Sequence, residues 1–202
     1  GNIRFPHNLG GTPEFIIIKK TSGTGSWLVY HKDLGAGYNI FLDTDAKRTS
    51  STVQGYIGTQ TDTNIVLDGG GQGNTVFGDG TFICYAWKNT AYSSFGTYTQ
   101  AASTSSPRAF TTGFPVKFLL IKCTTVGDDH WQLYDAFMTV PGVSSGALGS
   151  LRPDTDHSEA TASSTTRAIT LSTTDGWQLN ANITHNAVNG GGGRNYIWCA
   201  FG

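Results

Sequence analysis

Phe15-Ile16-Ile17-Ile18-Lys19-Lys20, followed after Thr21-Ser22-Gly23-Thr24-Gly25 by Ser26-Trp27-Leu28-Val29-Tyr30-His31, decides the reading of this chain, because the sequence writes it twice. The second copy is Phe118-Leu119-Leu120-Ile121-Lys122-Cys123, then Thr124 to Asp129, then His130-Trp131-Gln132-Leu133-Tyr134-Asp135. Phe15 and Phe118 are 103 positions apart, as are Lys19 and Lys122, and 104 positions separate Trp27 from Trp131. Each copy reads as a β-hairpin: a short run of aromatic and branched residues, a turn with glycine, and a run around Trp-x-x-Tyr. The first run is apolar at consecutive positions, so both of its faces are expected to be covered, as in an inner strand of a sandwich.

The repeat spans about half of the 202 residues, which favours two domains over one. Only 13% of residues are charged and 27 are glycine, a mix that suits short strands and turns. The expected fold class is all-β: two tandem antiparallel β-sandwich units, jelly-roll or lectin-like, related by internal duplication. Residues 1–92 form the first unit, 93–107 a connecting strand and linker, and 108–202 the second.

Thirteen Lys and Arg against fourteen Asp and Glu leave a formal charge of −1, and the longest basic clusters are the pairs Lys19-Lys20 and Lys47-Arg48. That excludes the electrostatic footprint of a nucleic-acid binder. No window approaches ~18 apolar residues and no signal-like start is present, so a soluble chain without membrane insertion is expected. The chain starts with Gly1 and its only methionine is Met138, which reads as a processed or excised piece. Cys84, Cys123 and Cys199 are odd in number and lack C-x-x-C spacing, pointing to buried free thiols.

Ile3-Arg4-Phe5-Pro6 and Arg108-Ala109-Phe110 hold matching places ahead of the two hairpins. Each leads into a corner, Gly10-Gly11-Thr12-Pro13 or Gly113-Phe114-Pro115, that turns the chain from a sheet edge into the interior. Strands are also expected at Asn39-Ile40-Phe41-Leu42, Asn64-Ile65-Val66-Leu67 and Gly176-Trp177-Gln178-Leu179. Both units close on runs apolar on both faces, Phe82 to Trp87 and Tyr196 to Phe201, each expected as a second inner strand. Phe95-Gly96-Thr97-Tyr98-Thr99 is a candidate edge strand, and the segment from Gln100 to Pro107 has linker composition.

The pattern resembles a family of uncharacterised, usually tandem domains in proteins of tailed bacteriophages, notably marine and cyanobacterial ones. Carrying the resemblance are Gly11 to Lys19, Ser26 to Gly35 and Phe95 to Tyr98, then Gly113 to Lys122, Trp131 to Asp135, Asp175 to Leu179 and Gly193 to Phe201. It implies a virion structural component, such as a tail fibre, head fibre or decoration module, with a lectin-like β-sandwich fold. Other virion subunits and further copies of the chain are the implied partners, and the particle surface the implied location. The resemblance brings no catalytic, cofactor-binding or metal-ligating residues to this sequence. The chain departs from the pattern between Ala136 and Ser150, where the second unit is longer and rich in Gly and Ser.

Candidate chemistry is thin. Glycoside hydrolysis needs two placed carboxyl groups, and the only glutamates are Glu14, entering a strand, and Glu159, in a polar loop. Asp43-Thr44-Asp45, Asp154-Thr155-Asp156 and Asp128-Asp129 each offer Ca²⁺ two oxygen ligands, but they lack EF-hand spacing and read as turn residues. His7, His31, His130, His157 and His185 fit no metal or triad motif and are expected at the surface or at hairpin ends. The glycine runs at 69–71 and 190–193 lack P-loop residues and read as turns. Trp27, Trp131, Trp177, Trp198, Tyr30 and Tyr134 would stack on sugars if they faced outward, but their places in apolar strands make most of them core. Asn182-Ile183-Thr184 fits the glycosylation sequon. The expectation is a non-enzymatic building block, the alternative a receptor-recognition module that binds a host surface glycan.

Overall fold

The computed structural model describes residues 3–35, 37–50, 56–68, 80–100, 105–138, 149–156 and 169–202. In the first half the strands are β1 (Ile3–Pro6), β2 (Phe15–Lys20), β3 (Leu28–His31), β4 (Tyr38–Phe41), β5 (Thr49–Ser50), β6 (Tyr56–Ile57), β7 (Asn64–Asp68) and β8 (Phe82–Trp87). Then come β9 (Ser93–Thr99), β10 (Arg108–Phe110), β11 (Phe118–Cys123), β12 (Gln132–Asp135), β13 (Ile169–Leu171), β14 (Trp177–Leu179), helix α1 (Asn186–Asn189) and β15 (Asn195–Phe201). The protein is all-β and sandwich-like, as its composition leads one to expect.

Among the described residues the strands form four antiparallel sheets, ordered β1-β7-β6, β5-β4-β3-β2-β8, β12-β11-β15-β9 and β10-β14-β13. The two halves share a pairing order. In each, the strand after the Pro-Gly corner lies between its hairpin partner and the closing strand, and a three-stranded sheet stands apart. Asp62 accepts from the hydroxyl of Thr12 at the first corner, and Asp175 Oδ1 accepts from the backbone N–H groups of Thr112 and Gly113 at the second. The corners therefore tie each small sheet to its large one.

Alternation along the strands stacks the sheets into four layers. Ile16, Ile18 and Leu28 of the five-stranded sheet pack on Ile57, Ile65 and Leu67 of the first small sheet. Leu119, Ile121 and Trp198 of the four-stranded sheet pack on Trp177, Leu179 and Ile169 of the second. The remaining faces of the two large sheets meet: Phe15, Val29 and Ile40 share one core with Leu120, Trp131 and Cys199. The consecutive apolar residues of β2 and β11 thus serve two cores each, which is why neither strand shows a polar face.

Hydrogen bonds cross this central layer. Trp131 Nε1 donates to the Phe41 carbonyl at 2.8 Å, Lys122 Nζ to that of Asp45 at 2.8 Å, and the backbone N–H of Arg48 to that of Thr124 at 3.1 Å. His31 Nε2 lies 3.2 Å from the Trp198 carbonyl. Phe15 stacks on Phe95 with centroids 5.6 Å apart.

One sequence expectation changes. β15 is an inner strand between β11 and β9, but among the described residues β8 closes the five-stranded sheet as its edge. A run apolar on both faces does not distinguish a strand flanked on both sides from one flanked on one side and covered from above. The segment from Phe95 to Thr99, expected as an edge strand, lies in β9, which pairs along its whole length with β15, from Ser93↔Phe201 to Thr99↔Asn195, and forms the edge of the four-stranded sheet. The glycine run at 69–71, His157, Glu159, most of the insertion after Ala136 and part of the linker lie outside the described residues.

Candidate functional site

Polar chemistry gathers where the β11–β12 turn meets α1. Lys122, near the end of β11, reaches back over the turn and donates to the carbonyl of Asp129. Lys19 makes the equivalent bond to Gly25, again two residues before the tryptophan. Lys19 is partly exposed and lies 5.7 Å from the Trp27 ring centroid, whereas Lys122 is fully buried. Burial holds the Lys122 ammonium below its ordinary range, against the opposing fields of Asp154, Asp129 and Asp45.

The turn carries Asp128, whose φ of 64° is left-handed, then Asp129 and His130. Asp129 Oδ2 accepts from Arg194 Nη1 at 3.1 Å, and His130 Nδ1 lies 2.9 Å from Asp154 Oδ2. The Asp154 side chain is fully buried while His130 is partly exposed, so the carboxylate anchors the ring at the cleft wall. Arg152, Thr184, His185 and Asn186 complete a cleft of about 410 Å³. Asp154 Oδ1, Arg152 Nε and Arg194 Nε are buried without hydrogen-bond partners among the described residues. Helix α1 is capped by His185 Nδ1, which accepts from Ala187 N at 3.2 Å, and is held by Tyr196, whose hydroxyl donates to the Asn186 carbonyl at 2.6 Å.

This arrangement presents donors and acceptors of both signs to a polar ligand. Asp129 and Asp154 are each engaged by a basic side chain, so they do not form the pair of open carboxyl groups that glycoside hydrolysis needs. Among the described residues no Ser, Thr or Cys hydroxyl or thiol bonds His130, so the His130–Asp154 pair lacks the nucleophile of a triad.

The other candidates fall mostly into structural places. Glu14 pairs with Lys32 at 2.8 Å. Asp43 Oδ1 accepts from the backbone N–H of Trp27 at 3.0 Å, a turn role, and Asp154 holds the residue before Trp131. Trp131, Trp177, Trp198 and Tyr134 are core, with Trp27 and Tyr30 half-buried at the hairpin. Trp177 and Tyr98 are not available for sugar stacking. Cys123 and Cys199 are buried free thiols, while Cys84 is half-buried and burial raises its pKa to about 11. His7, half-buried, bonds the Thr61 carbonyl through Nε2 at 3.1 Å. Asn182 of the sequon is exposed with φ 62°, and the glycines after α1 form a turn with φ of 88° at Gly192 and 71° at Gly193.

His31 corrects the surface expectation. It ends a hairpin strand, yet it is fully buried. Nδ1 accepts from the Asp33 backbone N–H at 3.1 Å, which leaves the Nε2 proton to donate to Trp198. Burial lowers its pKa from 6.5 to about 3, so Asp33, 3.8 Å away, faces a neutral ring.

Sequence reasoning missed the cleft as a unit. Its available signal was local, three ionisable residues in a row at 128–130 in a chain with few charges, but Asp154, His185 and Arg194 join them only in three dimensions.

No curated protein and no solved structure matches the chain. One family model covers residues 2–202, described as a domain of unknown function. The match takes in nearly every residue, and the chain belongs to the DUF7483 family.

Proposed function

We propose that this chain is a non-enzymatic structural component of a tailed-bacteriophage particle, a fibre, decoration or tail-associated module, which assembles with copies of itself or with other particle proteins. In this reading the chain is a doubled lectin-like or jelly-roll sandwich made by internal duplication. The shared pairing order of the halves and the matching Lys19 and Lys122 bonds support that origin. The observation that carries the inert role is where the aromatic residues go. Trp131, Trp177, Trp198 and Tyr134 are spent on cores, and the carboxylates of Asp129 in the cleft and of Asp154 behind His130 are held by basic partners rather than left open for chemistry. Imaging native particles at a resolution that traces side chains tests the reading. The expected result is this chain at repeated, defined positions, and its absence from purified particles refutes the assignment.

A second reading has one specific observation behind it, the cleft of Asp128, His130, Arg152 and Asn186. Such a mixture of donors and acceptors suits a polyhydroxylated ligand, so the alternative is a module that recognises a host surface glycan. A glycan array on the isolated chain checks it: binding lost in Arg152→Ala supports recognition at the cleft, and no binding to any glycan removes it.

A further inference from the structure

Sheet edges expose rows of unpaired N–H and C=O groups, and proteins blunt them by covering, shortening or charging them. Most edges here are blunted. Leu151 exchanges both backbone bonds with Leu133 across β12, at 2.9 and 3.0 Å. Along β9, Asn89 Oδ1 accepts from Phe95 N, Thr90 N donates to the Ser93 carbonyl, and Arg108 donates to that of Thr99. β5, β6, β10 and β13 are only two or three residues long, and β1 carries Arg4 and Pro6. The outer edge of β8 differs: six residues, Phe-Ile-Cys-Tyr-Ala-Trp, without a charge, proline or glycine, and with no strand beyond it among the described residues.

The other half shows what such an edge accepts. Phe15 pairs with Trp87 as Phe118 pairs with Phe201, which sets Cys84 and Ala86 in the places of Trp198 and Ala200. The backbone bond from Thr21 N to the Thr81 carbonyl fixes the alternation, so Ile83, Tyr85 and Trp87 address β2 while Cys84 and Ala86 address the open side. On β15 the equivalent positions face Gly96 and Ser94 of β9. The side chains differ to match: Ile83 is 40% and Tyr85 43% exposed, against 1% and 0% for their counterparts Ile197 and Cys199.

We propose that β8 pairs edge to edge with β8 of a second copy of this chain, antiparallel about a twofold axis normal to the sheet, joining two five-stranded sheets into one. This rests on the assembly reading above and names the surface it uses. A twofold normal to the sheet keeps faces together, so each residue meets a partner of its own parity. With Cys84 opposite Cys84, the outward N–H and C=O of each Cys84 bond their counterparts in the other copy, and Ile83 lies against Tyr85 of the other copy. β8 carries no charge to repel itself. On β9 the outward Phe95 N–H and the Ser93 and Thr99 carbonyls are already engaged, so the open β8 edge of a second copy is the complementary surface this chain supplies.

Sedimentation equilibrium over a wide concentration range, on the full chain with thiols reduced, tests the pairing. The wild type is expected to form dimers, and Tyr85→Lys to weaken them by at least about tenfold while leaving the far-ultraviolet spectrum unchanged. Phe137→Lys, the same change at an 81% exposed residue outside β8, leaves the dimer intact. Cys84→Pro, which removes an outward N–H without breaking the β2 ladder, weakens it too, and Tyr85→Lys decides alone if that variant does not fold. Mild oxidation of the wild type yields a crosslinked dimer that Cys84→Ser abolishes. A monomer at every concentration overturns the pairing, and the particle imaging then judges the assembly role separately. An oligomer indifferent to Tyr85→Lys overturns the edge while leaving self-assembly standing.

Discussion

Truncating Trp131 to alanine strikes the layer where the two large sheets meet. The side chain is fully buried among residues of both halves. Replacing a buried tryptophan with alanine costs about 3–5 kcal/mol through lost transfer energy and the cavity left behind. The indole also donates to the Phe41 carbonyl across the layer, and leaving that acceptor without its donor adds roughly 1 kcal/mol. For a chain of this length each kcal/mol moves Tm by about 2–4 °C, so the midpoint is expected to fall by about 8–24 °C. Trp27 holds the same place in the first hairpin but is half-exposed, so Trp27→Ala serves as the internal control and is expected to cost less than half as much. Urea unfolding followed by fluorescence and far-ultraviolet circular dichroism measures both variants. A loss below about 1 kcal/mol for Trp131→Ala, or a loss equal to that of Trp27→Ala, would refute the reasoning.

Four further outcomes follow from the same contacts. Gly176 has φ 71° and a Cβ there would lie 1.9 Å from the Phe110 carbonyl oxygen, so Gly176→Ala is expected to destabilise by about 2–4 kcal/mol in thermal unfolding. A Cβ on Gly96 would meet the Trp198 ring at 2.5 Å, and Gly96→Ala is expected to cost about 1–3 kcal/mol on the same assay. Lys122→Met strands the carbonyls of Asp45 and Asp129 and is expected to cost about 1–3 kcal/mol, whereas Lys19→Met, at the partly exposed equivalent, stays within about 0.5 kcal/mol. His31 stays neutral in the fold down to about pH 3 but takes up a proton below 6.5 when unfolded. The unfolded state therefore binds the extra proton between those values, and stability falls by about 1.4 kcal/mol from this one group for each unit that the pH is lowered. Urea midpoints across that window should fall more steeply in the wild type than in His31→Gln, and parallel slopes would contradict the assignment.

The hairpins, both Pro-Gly corners and the inner strands β2, β11 and β15 were legible in the sequence, because their signals are local: consecutive apolar runs, turn glycines, and Trp-x-x-Tyr at a fixed offset. What was hidden depends on partners far along the chain. The edge position of β8 follows from β9 pairing with β15 rather than with its own neighbour, a choice that no residue of β8 encodes. His31 reads as a hairpin-end histidine until the Trp198 carbonyl, 167 residues away, is placed beside its ring. The cleft draws on segments around 128–130, 152–154, 184–186 and Arg194, none of which carries a motif alone. Three short strands, β5, β6 and β13, have two or three residues each and fall below any periodicity signal. The four-layer stacking was half visible, since strands apolar on both faces demand two covers, but nothing local says that each half provides the other's second cover.

That mutual covering is the claim on which the stability of each half depends, and differential scanning calorimetry tests it most directly. If the large sheets share one interior, the chain melts in a single transition whose calorimetric and van't Hoff enthalpies agree. Two resolved transitions, or a calorimetric enthalpy near twice the van't Hoff value, would mean that the halves melt independently and that the central layer is not a common core.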